Sequence, residues 1–343
     1  MFTCRAPKFV YQDPWILPLA VRRQSLMRGQ RRVAYFYEEP NNSTFRYRAY
    51  NMAQVLNESR GSDTSASYFF HDDLEHLDNF ADLADVLVIC RSRYCHRVHD
   101  LIGSFHRKNK RVFFDVDDLV FNPDHVHLIM DSLDQDPDNP ALWDYWYAYT
   151  SRMGAALKLC DAAITTNQYL ADRITEYSGL SAGIVPNFIN REQLEISENI
   201  YAAKTASGFA RDNRIHLGYF SGSPSHNRDF EMIVPALEDL FDDLPHLGLH
   251  LAGYVDSHDL LRRFKSRITK HVFQDYVNLH RLIGSVEFNL VPLQSNIFTH
   301  CKSELKYFEA AITGTISIAS PTYTYRLAIQ NGKNGYLARA HQW

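Results

Sequence analysis

Residues 289–326 read NLVPLQSNIFTHCKSELKYFEAAITGTISIASPTYTYR, and their pattern is strand, loop, helix, strand, turn. Residues 289–293 are a short apolar run closed by Pro292, as where a buried strand meets a loop. Residues 294–300 are polar, with Phe298 and His300 among them, and read as loop. Residues 302–313 hold no Gly or Pro and are rich in Glu, Lys, Leu and Ala, which predicts helix. Gly314 stops it as a C-terminal cap, and the β-branched residues 315–319 predict a second buried strand. At the helical period Cys301, Leu305, Phe308 and Ile312 share a stripe about 60° wide, the expected packing face. Lys302, Lys306, Glu309 and Thr313 share another. Two ammonium groups and a carboxylate then stand beside the carboxyl end of a strand, where ligands bind in open α/β sheets. A helix N-terminus there adds free N–H groups for phosphate. The set fits a nucleotide, with phosphates at the lysine end and ribose hydroxyls on Glu309. A surface helix with solvated Lys and Glu pairs is the alternative, and on the helix alone it is the plainer reading.

The run FEAAITGTISIASPTYTYRLAIQNGKNGYL, residues 308–337, resembles the donor-binding segment of retaining nucleotide-sugar glycosyltransferases of the group 1 family. Those enzymes have two Rossmann-like domains with a central cleft, the GT-B architecture. In them a first Glu precedes a second that opens an Ala-rich turn, then Gly and an apolar strand. Glu309 takes the second position, and Cys301 stands where the first acid belongs. The resemblance implies a nucleotide-diphosphate sugar as co-substrate, no other cofactor, no metal, and a glycan or lipid-linked acceptor. It implies a donor site of Gly222, Ser223, Arg228, Lys302, Ser303, Glu304, Lys306 and Glu309. It also implies transfer with retention, in polysaccharide or O-antigen assembly at the cytoplasmic face of a membrane. The family continues with further helices where this sequence stops at Trp343, so a truncated C-terminal end, or one replaced by a partner, is expected.

The 343 residues suffice for two ordinary domains. A hydrophobic content of 45% is a globular value, and a net charge of −4 gives no global basic field for nucleic acid. The five Cys are scattered, without a CxxC pair, which suits a reducing compartment. The 16 His form no metal-binding motif. No apolar run reaches about eighteen residues, the length of a spanning helix. Residues 1–31 are Arg-rich, lack a signal-peptide pattern, and read as a leader, with a weak membrane-surface patch as the alternative.

From residue 32 strand and helix signals alternate, which predicts a parallel sheet covered by helices. Pro186-Asn187 closes this half, giving an acceptor domain at 32–190. Residues 191–212 are polar and read as linker. A second alternation then builds a donor domain at 213–343, with strands at 215–220, 247–252 and, weakly, 276–280, and helices at 230–242 and 260–271.

Three loops face the expected cleft. Residues 221–228, SGSPSHNR, follow a strand, and Gly222 with the hydroxyls allows close backbone approach while Arg228 offers a bidentate phosphate contact. In the family this loop carries an Arg and a Lys; Ser223 falls on the former and Arg228 on the latter. Asp115-Val116-Asp117-Asp118 ends a strand. Such a string can be Mg²⁺ ligands of a phosphotransferase, a general acid, or a helix N-terminal cluster without chemistry. The resemblance places Asp117 where the family has a His that reaches the donor sugar, and so gives it a catalytic role beside Glu309. Residues 41–48, NNSTFRYR, carry Arg46 and Arg48, which suit an anionic acceptor or simply pair with acids. The aromatic cluster Trp143 to Tyr149 reads as packing, with acceptor-sugar stacking as its alternative. A catalytically inactive nucleotide- or glycan-binding protein on the same fold is the other open reading, since Cys301, Ser223 and Asp117 all depart from the family pattern.

Overall fold

The structure, a computed structural model, describes residues 1–2, 10–40, 44–59, 61–77, 79–222, 227–255 and 259–343. Two sheets account for the predicted alternation. The first holds β1 (Arg31–Tyr37), β2 (Thr64–Phe70), β3 (Val86–Cys90), β4 (Arg111–Asp115), β5 (Ala162–Thr165) and β6 (Ala182–Ile184) in the order β2-β1-β3-β4-β5-β6. The second holds β7 (Ile215–Ser221), β8 (Leu247–Gly253), β9 (Ile268–His271), β10 (Phe288–Val291), β11 (Ile316–Ala319) and β12 (Tyr336–Leu337) in the order β12-β11-β10-β7-β8-β9. The strand pairings are parallel throughout both sheets. Parallel strands are covered on both faces, which is why β1 and β8 read as nearly continuous apolar runs.

Covering helices start where the sequence caps them. Asn139 accepts from Ala141 N–H, with Pro140 at the first helical position, to open helix Pro140–Lys158. Asn167 accepts from Leu170 N–H to open Gln168–Ser178, which ends at Gly179 with φ +75°.

Several sequence expectations are corrected. The described part of the leader is packed structure: Trp15 is 1% exposed within the aromatic cluster of the first sheet, and helix Leu19–Leu26 is held by an Arg22–Asp73 ion pair at 2.5 Å. The polar stretch expected as linker is helix Arg191–Ala206, opened by a reciprocal Asn190–Gln193 cap. Its polar residues Gln193, Ser197 and Lys204 face inward. Residues 260–271 are a 3₁₀ segment, Asp259–Arg267, followed by β9, not one helix. Residues 276–280 open helix Tyr276–Ser285 instead of forming a strand, because the Asp275 side chain caps Asn278 N–H.

The predicted helix at 302–313 is shorter, Leu305–Ala311, with a separate turn Ile297–His300 before it. Its expected packing stripe is also reassigned. Cys301 and Phe298 are buried in the core of the first sheet, whereas Leu305, Phe308 and Ile312 are only half-buried. Glu309 and Thr313, from the polar stripe, are the buried ones.

Candidate functional site

In the first sheet the chain leaves neighbouring strands β1 and β3 toward opposite sides; in the second, β7 and β10 do the same. Such switch points open a crevice at the carboxyl ends of the strands. Here the two crevices face one another across a cavity of about 620 Å³. From the first half it is lined by Thr44, Arg46, Tyr47, Arg91, Asp117 and Asp118. Ser221 at the end of β7, Gly222 after it, Leu293 after β10, and Lys302, Ser303, Lys306 and Glu309 close it from the second. Gly253 ends β8 there with φ +85°, and a Cβ on it would stand 1.9 Å from the Ser221 carbonyl oxygen, so only glycine fits.

Glu309 is 5% exposed and is enclosed by elements far apart in sequence. Tyr47 Oη donates to its Oε1 at 2.5 Å, and Gln193 Nε2 donates to Tyr47 Oη at 2.9 Å. His280 Nε2 lies 3.8 Å and Arg46 Nη2 3.9 Å from the same oxygen. Burial raises the carboxyl pKa, but the neighbouring His280, the charge of Arg46 and the Tyr47 hydroxyl outweigh it. Glu309 is therefore held below the usual carboxylate range, ionised. Among the described residues its Oε2 accepts no hydrogen bond, so that oxygen can meet a ligand.

The two arginines after β1 divide sharply. Arg48 is fully buried and spent: Nε and Nη2 donate to the two Asp115 oxygens at 2.7 and 2.8 Å, and Nη1 to Val185 O at 2.7 Å. Arg46 is 3% exposed, stacked 4.0 Å over the Tyr276 ring, and its Nε and Nη1 have no hydrogen-bond partner among the described residues. Burying a guanidinium with unmet donors is costly unless something in the cavity meets them. Arg46 begins a single π-helical turn, Arg46–Tyr50, a distortion frequent at functional positions.

Lys306 lies 5.4 Å over the Tyr219 ring. Loss of water pulls its pKa down to about 8, with Lys302 adding to the shift and Asp229 and Glu309 opposing it. Lys302 lies 3.5 Å from Asp118. Arg228 is not in the cavity: it pairs with Asp131 and, at 3.0 Å, with Asp134, bridging the two halves. Ser303 lines the cavity and accepts from Asn187 Nδ2 at 3.1 Å, whereas Glu304 stands outside it. Ser223 lies outside the described residues.

The acids of the DVDD string separate. Asp115 is 2% exposed and its carboxylate is occupied by Arg48, so the Mg²⁺ phosphotransferase reading that needed it as a ligand is set aside. Asp117 lines the cavity 3.2 Å from Arg91, which also reaches Asp118 at 3.5 Å. Of the aromatic cluster, Trp146 and Tyr149 line the cavity, and Trp146 Nε1 is buried without a partner among the described residues.

The sequence did not point to Tyr47, Gln193, His280 or Arg91. Arg91 carried a usable signal, since it directly follows the apolar run of β3. The Tyr254–Phe273 ring pair, with centroids 5.6 Å apart on the cavity wall, flanks the mispredicted 260–271 segment, Tyr254 before it and Phe273 after it.

No family model and no curated protein matches the chain. Solved structures do. HepE from Anabaena, in complex with UDP and glucose, is 11% identical with a TM-score of 0.57, over 90% of this chain and 87% of that one. WaaG, a glycosyltransferase involved in lipopolysaccharide biosynthesis, is 12% identical with a TM-score of 0.55, over 90% and 86%. Sucrose-phosphate synthase from Thermosynechococcus elongatus is 14% identical with a TM-score of 0.55, over 90% and 87%. At these identities the likeness is one of fold, and the two parallel sheets facing across a cleft give this chain the GT-B fold of glycosyltransferases.

Proposed function

We propose that the chain is a glycosyltransferase that moves a sugar from a nucleoside diphosphate donor to a glycan or lipid-linked acceptor in the interdomain cleft. The observation that carries this reading is the pairing of unmet cationic donors with an ionised carboxylate at the facing switch points: Arg46 and Lys306 beside Glu309. A nucleoside diphosphate presents the matching groups, anionic oxygens for the cations and ribose hydroxyls for Oε2 of Glu309. The Tyr254–Phe273 pair offers its rings to the base. As the bond to the sugar breaks, negative charge grows on the diphosphate, and fixed cations in a cleft with little water stabilise that charge most. Asp117, oriented by Arg91, is placed to accept a hydrogen bond from a sugar or acceptor hydroxyl. Trp146 and Tyr149 give the acceptor side an aromatic floor. Retention, independence of metal, and a role in polysaccharide or O-antigen assembly at the cytoplasmic membrane face belong to this proposal through the sequence resemblance. HepE, with UDP and glucose bound on the same fold, supports the donor class. No helix among the described residues is long and apolar enough to cross a membrane.

The test is thermal unfolding with UDP, GDP, TDP, ADP and CMP, each with EDTA and with Mg²⁺, on wild type and Glu309→Gln. A ligand at 100 times its Kd stabilises by about 2.7 kcal/mol. One diphosphate is expected to raise the wild-type midpoint regardless of EDTA, with the rise lost in the folded Glu309→Gln protein. No response to any nucleotide, or a response only with Mg²⁺, would overturn the reading.

A further inference from the structure

Beside the cleft lies a second cavity of about 420 Å³, against the carboxyl ends of β10, β11 and β12. Leu293 lines both cavities. Its volume is at the small end of the range for ligand sites. What distinguishes it is its charge. Its lining holds Arg326, Arg339, His300 and His341 and not one Asp or Glu. Neither arginine forms an ion pair among the described residues.

The floor is built of buried donors. Thr322 is 2% exposed, and its Oγ1 has no hydrogen-bond partner among the described residues. Ser320, 4% exposed, accepts from Leu293 N–H at 2.8 Å through its Oγ, and its own hydroxyl hydrogen is committed to no described residue. His300 accepts from Tyr323 N–H at Nδ1, 3.0 Å away. Burial and the Arg326 charge hold this ring below its ordinary pKa, so it is neutral at pH 7. The proton of the neutral ring then sits on Nε2, which lies 3.4 Å from Ser295 Oγ. Two guanidinium groups therefore stand over the Ser320 and Thr322 hydroxyls in a pocket lined by no carboxylate, with the His300 N–H already within reach of Ser295 Oγ. Arg forks suit phosphoryl oxygens in particular.

We propose that this pocket is an anion subsite that takes a phosphoryl group as a phosphate monoester or free phosphate. It is separate from the nucleotide site and stands whether or not the cleft transfers sugars. Because Leu293 lines both the pocket and the cleft, the phosphate has two sources: one borne by a molecule lying across from the cleft, or free phosphate bound alone.

The experiment is titration calorimetry on the full chain at constant ionic strength and pH 7.5, with inorganic phosphate and then glucose 6-phosphate. The proteins are wild type, R326Q/R339Q and Thr322→Val. Both arginines are exposed, so the double variant is expected to unfold at the wild-type temperature. Phosphate should bind wild type, weaken about tenfold or more in the double variant and weaken less in Thr322→Val. Saturating UDP should leave phosphate affinity unchanged. Sugar phosphate binding about tenfold tighter than phosphate identifies a substrate-borne group, while equal affinities identify the free ion, and either supports the site. Unchanged phosphate affinity in the double variant, or displacement of phosphate by UDP, overturns it.

Discussion

Raising the pH from 7 to 9 should discharge Lys306 and weaken nucleoside diphosphate binding about tenfold. Lys306 loses water on the helix that carries Glu309, and this loss, reinforced by Lys302, brings its pKa down to about 8. If the diphosphate meets only the ammonium form, Kd scales as 1 + 10^(pH − 8), a factor of about 1.1 at pH 7 and about 11 at pH 9. The diphosphate group adds little slope of its own, because its second ionisation lies near pKa 6 and is about nine-tenths complete at pH 7. The free protein should respond in the opposite sense. The folded pKa is depressed below the unfolded value near 10.4, so between pH 8 and that value the unfolded chain holds more protons and stability rises with pH. Calorimetric titration of UDP, or of whichever diphosphate the nucleotide panel identifies, from pH 7 to 9 reads the first effect directly. Lys306→Met should bind more weakly at pH 7 and show no pH slope. A flat wild-type profile, or the same slope in Lys306→Met, would refute the argument that this ammonium faces the diphosphate.

Two further expectations concern stability. On β7, β8 and β9, His216 Nδ1 lies 2.9 Å from His250 Nε2, and His250 Nδ1 lies 2.8 Å from His271 Nε2. Burial, with the neighbouring histidines next, lowers His250 to about 3. The unfolded chain alone protonates this group between about pH 6.5 and 3, so its contribution is intact above that window and lost as pH falls through it, about 2 kcal/mol from pH 7 to 5. His250→Gln keeps a donor and an acceptor but does not titrate; urea unfolding at the two pH values should show a smaller acid loss, and an equal loss in both proteins counts against the chain of imidazoles as its origin. Arg48→Met should cost about 3–5 kcal/mol, because it strands the Asp115 carboxylate, 2% exposed, without its cation. A loss below about 1 kcal/mol in the same assay would mean that water or another cation reaches Asp115.

The two-sheet fold was legible because strand and helix periods are local: Val86–Cys90 and Leu247–Gly253 announce themselves within their own residues. Misreadings came where the deciding partner lies far away in sequence. Residues 191–206 look solvated, yet Lys204 Nζ donates to the carbonyls of Thr313 and Gly314, both at 2.8 Å, and so turns inward. The Leu305–Ala311 helix offered two stripes, and amphipathic reasoning buried the apolar one. Glu309 and Thr313 of the polar stripe are buried while Leu305, Phe308 and Ile312 are only half-buried, because Tyr47, Gln193 and His280 converge on Glu309 from separate elements. Tyr276–Ser285 shows the reverse failing: Asp275 capping Asn278 was a local helix signal, overlooked because the first residues read as a short apolar strand.

The same convergence bears on how the cleft works. Of the cations that line it, Arg91 is spent on Asp117 and Asp118, and Lys302 lies against Asp118. A ligand that recruited either would break an existing pair and recover only the difference. Arg46 is otherwise: its one ion pair is a long contact to Glu309 at 3.9 Å, and its buried Nε and Nη1 have no partner among the described residues, so an anion that draws on its charge breaks no close pair. Arg46 comes from the first half, while Glu309 and Lys306 come from the second. An anion held between them is therefore held by both halves, and its binding favours their closure. Tyr47 adds to this, since its bond to Glu309 also crosses the cleft. Closure excludes water at the moment a sugar would leave the diphosphate, which is where exclusion favours transfer over hydrolysis. Arg46→Gln should then weaken diphosphate binding and also raise the ratio of donor hydrolysis to transfer, whereas a purely structural role would lower both rates together.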